Sequence, residues 1–157
     1  MTDKAFSIRR ATVADIPVLL HHRRSMYEDM GREDTDALDR IAPSARTYFE
    51  TAIPNGSYQG FLAVNAEGEV VGGAGVVISP WPGDYYERTP RRAMILNMYV
   101  ERNYRRRGIA RALMEAMIEW CRDNGFARVS LHASADGREL YEKLGFAPTN
   151  EMRLNLS

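Results

Sequence analysis

The feature that most constrains the fold is a short basic turn between an apolar run and an amphipathic helical pattern. Residues 104–113 read Tyr-Arg-Arg-Arg-Gly-Ile-Ala-Arg-Ala-Leu and follow the apolar run 93–100. The first backbone N–H groups of a helix have no intrahelical partners, and the helix dipole adds partial positive charge there. Gly108 and Ala110 have almost no side chain, so an anion can approach this backbone. The pattern predicts a strand, a turn and a helix whose start binds phosphate, although a solvated basic turn is the alternative.

Other phosphate-binding motifs fit this chain poorly. The sequence has neither G-x-x-x-x-G-K-[ST] nor a G-x-G-x-x-G that opens a helix. The glycine-rich segment 72–75 follows Val70 and Val71 and precedes Val76, Val77 and Ile78. We therefore predict one long strand there, with a flat or bulged section.

Two motifs together resemble a known family. Residues 105–110 have the pattern R-x-x-G-x-A, which resembles the pyrophosphate-binding motif of the GNAT superfamily of N-acetyltransferases. Residues 140–146 read Leu-Tyr-Glu-Lys-Leu-Gly-Phe and look like that family's second signature, L-Y-x-x-L-G-F. The resemblance implies an acetyl-CoA-dependent enzyme with an α+β, three-layer α/β/α fold. Its sheet is expected to be mixed and mostly antiparallel, with helices on both faces.

Length and composition are those of an ordinary globular protein. The 157 residues predict a single domain, 1–157, and the formal net charge of zero gives no support for nucleic acid as a partner. No apolar stretch approaches the roughly 20 residues that span a bilayer, and the N-terminus has no apolar signal region. A single cysteine excludes an internal disulfide. We expect a cytoplasmic monomer or homodimer with no membrane partner.

Periodicity along the chain predicts alternating elements. Strands are expected at 6–9, 60–64, 70–79, 93–100, 127–133 and 151–156. Helices are expected at 12–30, 35–53 with an interruption near Pro43, 109–124 and 135–144. Residues 80–92 are expected to form a loop.

The resemblance assigns the cofactor-binding residues. The pantetheine arm of acetyl-CoA is expected along the strand before the loop, where it pairs with the backbone as an added strand would. The strands on either side are expected to splay apart and leave a gap for the two substrates. The residues implied are Met98, Tyr99, Val100, Arg105, Arg106, Arg107, Gly108, Ile109, Ala110, Arg111 and Ser134.

The catalytic candidate is Tyr141. By resemblance it lies beside the coenzyme sulfur and acts as the general acid that protonates the leaving thiolate; packing under Phe146 is the alternative. Ser134 stands where many family members have Asn, and an N-cap role explains it equally well. Gly145 predicts a left-handed helix stop that brings Phe146 against Tyr141.

The general base has no clear candidate in the sequence. Several family members carry Glu or His at positions that match Met94 or Leu96, and neither side chain can accept a proton. Asn97 is polar within an apolar run, but it is not basic and can simply satisfy a nearby backbone group. We infer that the amine loses its proton to water or to an acidic residue elsewhere. The acidic candidates near the end of the first helix are Glu28, Asp29 and Glu33.

The loop 80–92 offers candidates for the acceptor site. Trp81, Tyr85 and Tyr86 could form an aromatic wall for a small cationic amine. Asp84 and Glu87 could attract that amine or simply keep the loop soluble. Glu28, Asn97 and Trp81 are our substrate-binding candidates.

Neither a covalent acetyl-cysteine nor a metal is expected. Cys121 lies thirteen residues beyond Gly108, which on a helix is roughly 20 Å from the phosphate end. Its neighbours predict a small core residue. His21 and His22 are adjacent and point about 100° apart on a helix, and no zinc spacing includes His132.

Three functions remain open at this point. The first is an N-acetyltransferase that transfers acetyl directly to a primary amine of a small molecule. The second is an acetyltransferase that acts on a protein or peptide amine. The third is a non-catalytic CoA-binding sensor. The presence of Tyr141 favours catalysis over this third function.

Overall fold

The computed structural model describes residues 5–157, which form a five-stranded sheet with helices on both faces. The strands lie in the sheet in chain order: β1 (Phe6–Arg10), β2 (Tyr58–Asn65), β3 (Val70–Pro80), β4 (Arg91–Val100) and β5 (Ser130–Leu131). The first four pair antiparallel, and β5 pairs parallel to β4. The predicted mixed, mostly antiparallel sheet of an α+β fold is confirmed.

Four helices cover the sheet. They are α1 (Ile16–Asp29), α2 (Thr35–Asn55), α3 (Ile109–Asp123) and α4 (Arg138–Lys143), with 3-10 turns at Val13–Asp15 and Arg102–Tyr104. Helix α3 packs its buried side on one face of the sheet, and α1 and α2 pack on the other. Each of these two faces has its own apolar core, so the fold has the three layers that the resemblance implied.

The glycine-rich segment of β3 is a strand, as predicted. A side chain at Gly75 would overlap the phenol of the fully buried Tyr58, and one at Gly73 would lie 2.8 Å from a methyl group of Leu62. The pairing register between β3 and β4 shifts between Gly73 and Gly75. The glycines therefore make room for side chains on the α1 and α2 side of the sheet.

Helix α2 differs from its prediction because it runs through Pro43 without a break. The side chain of Asp34 caps its start by accepting a hydrogen bond from the N–H of Ala37 at 3.1 Å, and Gly56 ends it in a left-handed conformation. Pro43 and Asp39, the residue four positions before it, are both exposed. Water can therefore satisfy the carbonyl that the proline leaves unbonded, and the predicted interruption is wrong.

The last third of the chain has less regular structure than predicted. The strand expected at 127–133 is limited to Ser130–Leu131, and the helix expected from 135 begins at Arg138. The strand expected at 151–156 is wrong, because that segment has no strand pairing. Its alternating apolar side chains Met152, Leu154 and Leu156 are 94%, 80% and 90% exposed. Alternation alone does not form a strand where no neighbouring strand offers hydrogen bonds.

Candidate active site

The sheet opens into a cleft between β4 and β5. The two strands pair only at Met94 with Ser130 and at Ile95 with Leu131. Beyond that point, residues 96–100 have no strand partner on the β5 side within the described part of the chain. The expected gap is therefore present, and Met98, Tyr99 and Val100 lie on the strand that borders it. Backbone groups on an unpaired strand edge can bind an extended ligand as an added strand.

A bulge in β4 lies at the point where the cleft opens. Gly75 pairs with Leu96 and Gly73 pairs with Tyr99, so Asn97 and Met98 together lie opposite Ala74. Asn97 adopts a positive φ of 64° and is 2% exposed. The strand therefore changes direction next to the gap.

The side chain of Asn97 bonds other side chains. Its Oδ1 accepts a hydrogen bond from Nη1 of Arg23 at 2.7 Å, and its Nδ2 donates to the hydroxyl of Tyr58 at 3.4 Å. Both contacts are with side chains, whereas the sequence suggested that Asn97 satisfies a nearby backbone group. Asn97 therefore links the bulge to α1.

The basic turn has an open backbone, as an anion site requires. Arg106 and Gly108 both have positive φ, 64° and 84°, and Gly108 is the N-cap of α3. Within residues 5–157, no side chain caps the first N–H groups of α3, and no atom lies within 4 Å of the position that a Cβ of Gly108 would take. Uncapped N–H groups at a helix start attract a diphosphate.

The three arginines of this turn and Arg111 in the first turn of α3 have different surroundings. Arg105 donates to Asp29 at 2.5 Å and to the carbonyl of Val100 at 2.8 Å, so it fixes the turn against α1. The hydrogen bond from Arg105 lowers the pKa of the Asp29 carboxyl. Arg111 pairs with Glu115 at 2.9 Å. Arg106 and Arg107 are exposed and form no ion pair among residues 5–157, so they remain available to an anion.

Tyr141 lies in the core that supports the cleft. It is 7% exposed and belongs to the apolar cluster that also contains Ile95 of β4 and Ile109 of α3. Burial raises the pKa of its phenol above the ordinary value. The predicted packing is confirmed: the ring centroids of Tyr141 and Phe146 are 6.1 Å apart, and Gly145 has a φ of 100°.

Ser134 lies before α4, in a turn that precedes the helix. The helix has Gly137 as its N-cap, so Ser134 is not the N-cap that the sequence predicted. Its hydroxyl nevertheless accepts a hydrogen bond from the N–H of Gly137 at 3.2 Å. The hydroxyl therefore stabilises the turn, and its contact with a cofactor stays a prediction.

A groove lies on the face of the sheet that α1 and α2 cover. It is bordered by these two helices and by strands β3 and β4. This acceptor groove has a volume of about 710 Å³. Leu96, next to the bulge, contributes to its floor, so the groove reaches the start of the cleft. Its apolar lining residues are Ala37, Ile41, Ala45, Phe49, Val77 and Leu96, and its polar ones are Arg23, Arg40, Ser44 and Tyr48.

The predicted substrate residues Glu28 and Trp81 do not line this groove. Glu28 is exposed and pairs with Arg24 at 2.9 Å. Trp81 lies under Arg92, whose guanidinium carbon is 4.9 Å from the ring centroid. Substrate contact by either residue stays a prediction.

The acidic residues of the loop 80–92 have structural contacts. Glu87 is 5% exposed and accepts hydrogen bonds from the backbone N–H groups of Ala127, at 3.0 Å, and Arg128, at 3.3 Å. Asp84 pairs with the side chain of Arg128 at 2.5 Å. These carboxylates fix the loop to the segment before β5, and attraction of an amine is not needed to explain them.

Sequence reasoning missed the groups that α1 brings to the site. Arg23 lines the acceptor groove, and His21 contacts Glu101 at 2.8 Å. His22 is 1% exposed, its Nε2 has no hydrogen-bond partner, and burial lowers its pKa to about 4. The only available signal was the run of four polar residues, 21–24, on a helix that must bury one side.

Two other predictions concern cysteine and metal. Cys121 is 3% exposed in the α3 core, as predicted, and burial raises the pKa of its thiol to about 11. A thiol that stays protonated is a poor nucleophile. Within residues 5–157, no group of three or more His, Cys, Asp or Glu side chains is arranged to hold a metal ion. Nor does any helix in that part of the chain combine the length and apolarity needed to cross a membrane.

Comparisons with known proteins identify the family. Residues 22–146 match the model of the acetyltransferase (GNAT) family. Human N-acetyltransferase 8 is 29% identical over 94 residues, a region that covers 58% of this chain and 40% of that protein. The matched region therefore spans less than half the length of this curated relative.

Solved structures match over nearly the whole chain. A GCN5-related N-acetyltransferase from Ralstonia eutropha is 29% identical, with a TM-score of 0.89 and coverage of 96% of this chain and 98% of that one. A predicted acetyltransferase from Clostridium acetobutylicum, solved with acetyl-CoA, is 28% identical, with a TM-score of 0.86 and coverage of 96% of each chain.

Proposed function

Because this chain belongs to the acetyltransferase (GNAT) family, we propose that it transfers an acetyl group from acetyl-CoA directly to a primary amine of a small molecule. The enzyme class follows from the family and from its N-acetyltransferase relatives. The observation that carries the finer proposal is the position of the acceptor groove. It reaches β4 at Leu96, where the cleft between β4 and β5 opens.

The residues at the phosphate end fit acetyl-CoA. The uncapped start of α3 at Gly108 offers N–H groups to the diphosphate, and Arg106 and Arg107 add positive charge. The unpaired edge at Met98, Tyr99 and Val100 fits an extended pantetheine arm. We assign Ile109, Ala110 and the first turn of α3 to the same anion site. Arg105 and Arg111 support the turn through Asp29 and Glu115.

In this proposal Tyr141 supplies the acid. An amide bond forms as the thioester C–S bond breaks, and the Tyr141 hydroxyl donates its proton to the departing sulfur. The phenol is protonated at neutral pH, and burial raises its pKa further above the ordinary value. Water or an acidic residue near the end of α1 takes the proton that the amine must lose, since Met94 and Leu96 on β4 cannot accept one. The buried Cys121 thiol argues for direct transfer without an acetylated enzyme.

The proposal also covers the unit and its location. We assign residues 1–157 to one catalytic domain and place it in the cytoplasm, where a single reduced cysteine is usual. A protein or peptide acceptor is less favoured because the groove has a volume of about 710 Å³, within the size range of small-molecule pockets.

The direct test is a screen of small primary amines with release of free thiol as the readout. Mass spectrometry of the products must then show an added acetyl group on the amine. Thiol release with at least one small amine, above the rate without acceptor, is expected. Release only with peptide or protein acceptors would replace the small-molecule assignment, and no release with any acceptor would favour a CoA-binding sensor.

A further inference from the structure

We propose that the acceptor is an amine that also carries a carboxylate next to an apolar group, as in an apolar α-amino acid. This inference rests on the proposed acetyl transfer and specifies its substrate class. The acceptor groove suggests it, because its charged lining residues are Arg23 and Arg40, one from α1 and one from α2. A cationic acceptor without an anionic group would meet two like charges there.

The two arginines have no carboxylate partner in the described part of the chain. Their neighbour Arg24 is different, because it contacts Glu28 at 2.9 Å and Asp39 at 2.7 Å. Arg23 donates only to neutral oxygens, at 2.7 Å to Asn97 and at 3.4 Å to the Tyr27 hydroxyl. Its charge is therefore not neutralised by the protein, and a bound carboxylate would supply the missing partner.

Arg23 is also incompletely hydrogen-bonded. Its Nε is buried and has no hydrogen-bond partner among residues 5–157, and the side chain as a whole is half-buried. A guanidinium carries five N–H donors, and the two hydrogen bonds to Asn97 and Tyr27 leave donors of Arg23 unmet. Arg23 is held on the Asn97 amide, so its remaining donors are already oriented before a ligand binds.

The position of Arg23 fits the reaction. Arg23 contacts Asn97, which lies in the β4 bulge beside the opening of the cleft. In an α-amino acid the amine and the carboxylate share one carbon atom. A carboxylate bound at Arg23 therefore keeps its amine close to β4, where the thioester is expected. Arg40 is an exposed residue of the groove lining and adds attraction for the same carboxylate.

The rest of the groove selects an apolar body. Ile41, Phe49, Val77 and Leu96 offer aliphatic and aromatic surface, with Tyr48 beside them. Burying such a side chain removes apolar surface from water, which favours binding. Leucine and phenylalanine are the simplest probes that combine this body with an α-amine and an α-carboxylate.

The experiment compares each amino acid with its amide, phenylalanine with phenylalaninamide and leucine with leucinamide. Thiol release gives kcat and KM at a fixed pH. The amide group lowers the pKa of the neighbouring amine, so intrinsic reactivity favours the amides. We expect the opposite order of kcat/KM, with the free acids ahead by roughly 10-fold or more.

Variants locate the cause of that preference. Arg23→Gln should raise KM for phenylalanine roughly 10- to 100-fold and leave phenylalaninamide little changed, and Arg23→Lys should restore part of the loss. Arg40→Gln should show a smaller effect that weakens further with salt. Arg46→Gln is the matched control, because Arg46 is an exposed α2 arginine outside the groove lining, and it should behave as wild type.

A second readout is independent of rate. Calorimetric titration with N-acetylphenylalanine should show binding to wild type and weaker binding to Arg23→Gln, while stabilisation by acetyl-CoA stays the same in both. Amides that react as well as the acids would overturn the inference, as would an equal loss of both substrates in Arg23→Gln. Failure of the proposed function would look different, since no small amine, acid or amide, would then release thiol.

Discussion

The basic turn and the acceptor groove are built in different ways. The turn comes from one contiguous segment, Arg105 to Ala110, and presents mainly backbone N–H groups at a helix start. The groove combines side chains from α1, α2, β3 and β4, which are distant in sequence. A site made of backbone is fixed by local conformation and suits a constant ligand. A site made of separate side chains can change one residue at a time and therefore sets specificity.

The largest expected effect tests the backbone nature of the turn. Gly108→Val should abolish acetyl-CoA binding, because a β-branched residue disfavours the φ of 84° and its side chain fills the open position above the helix start. Isothermal titration with acetyl-CoA measures the loss.

The matched control is Gly125→Val at the other end of α3. Gly125 has a φ of 81° and an equally open surrounding. The substitution should lower stability as much as Gly108→Val, by about 1–2 kcal/mol, yet leave binding intact. Normal acetyl-CoA binding by Gly108→Val would place the phosphate elsewhere.

The second-largest effect concerns helix α1, where the imidazole of His22 is buried in its neutral form. Its pKa is about 4 in the folded protein and near 6.5 when unfolded, so the unfolded chain binds the extra proton first as the pH falls. Stability should drop by about 3 kcal/mol as the pH is lowered from 6.5 to 4. Urea titrations across this range measure it, and His22→Gln should flatten the dependence. An unchanged slope in that variant would show that other groups are responsible.

The third effect concerns the hydroxyl of Tyr141. Tyr141→Phe keeps the ring and its packing on Phe146, so stability and KM for acetyl-CoA should barely change. Turnover should fall by roughly 10²-fold if the hydroxyl protonates the leaving thiolate. Wild type should lose activity only at high pH, above the raised pKa of the phenol, and the variant should lack that limb.

Steady-state rates from pH 6 to pH 11, as far as the protein remains folded, test the role of the hydroxyl. Tyr85→Phe is the control, because Tyr85 is 93% exposed on a loop and should be silent. Wild-type turnover and an unchanged profile in Tyr141→Phe would make Tyr141 a packing residue.

The smallest effect separates charge from backbone in the turn. Arg106→Ala and Arg107→Ala should each weaken acetyl-CoA binding several-fold and reduce its salt dependence, because exposed charges are screened. Arg105→Ala should act mainly on stability, since Arg105 pairs with Asp29 and the Val100 carbonyl. Binding measured between 50 and 500 mM salt, with thermal unfolding alongside, distinguishes the two. An unchanged salt slope in Arg106→Ala and Arg107→Ala would remove these charges from the site.

Predictability from sequence follows the same division. The turn, the α3 start and the glycine-rich strand were predicted from local pattern, because local conformation determines them. The β4 bulge at Asn97 and the groove that Arg23 lines were not predicted, since both depend on contacts between distant segments.

The errors in the elements have the same origin. Pro43 suggested a break in the helix. Because Pro43 and Asp39 are exposed in α2, water can satisfy the Asp39 carbonyl that the proline leaves unbonded. The alternating segment 151–156 suggested a strand, but β5 has only two paired residues and offers it no edge. In both cases the deciding contact lies outside the segment that carries the pattern.

Stabilisation by acetyl-CoA tests the central claim most directly. At a hundredfold excess over the dissociation constant, acetyl-CoA should raise the free energy of unfolding by about 2.7 kcal/mol. The gain should be equal in wild type and Arg23→Gln and absent in Gly108→Val, and NADH should give none. An absence of any shift in wild type at millimolar acetyl-CoA would contradict the acetyltransferase account.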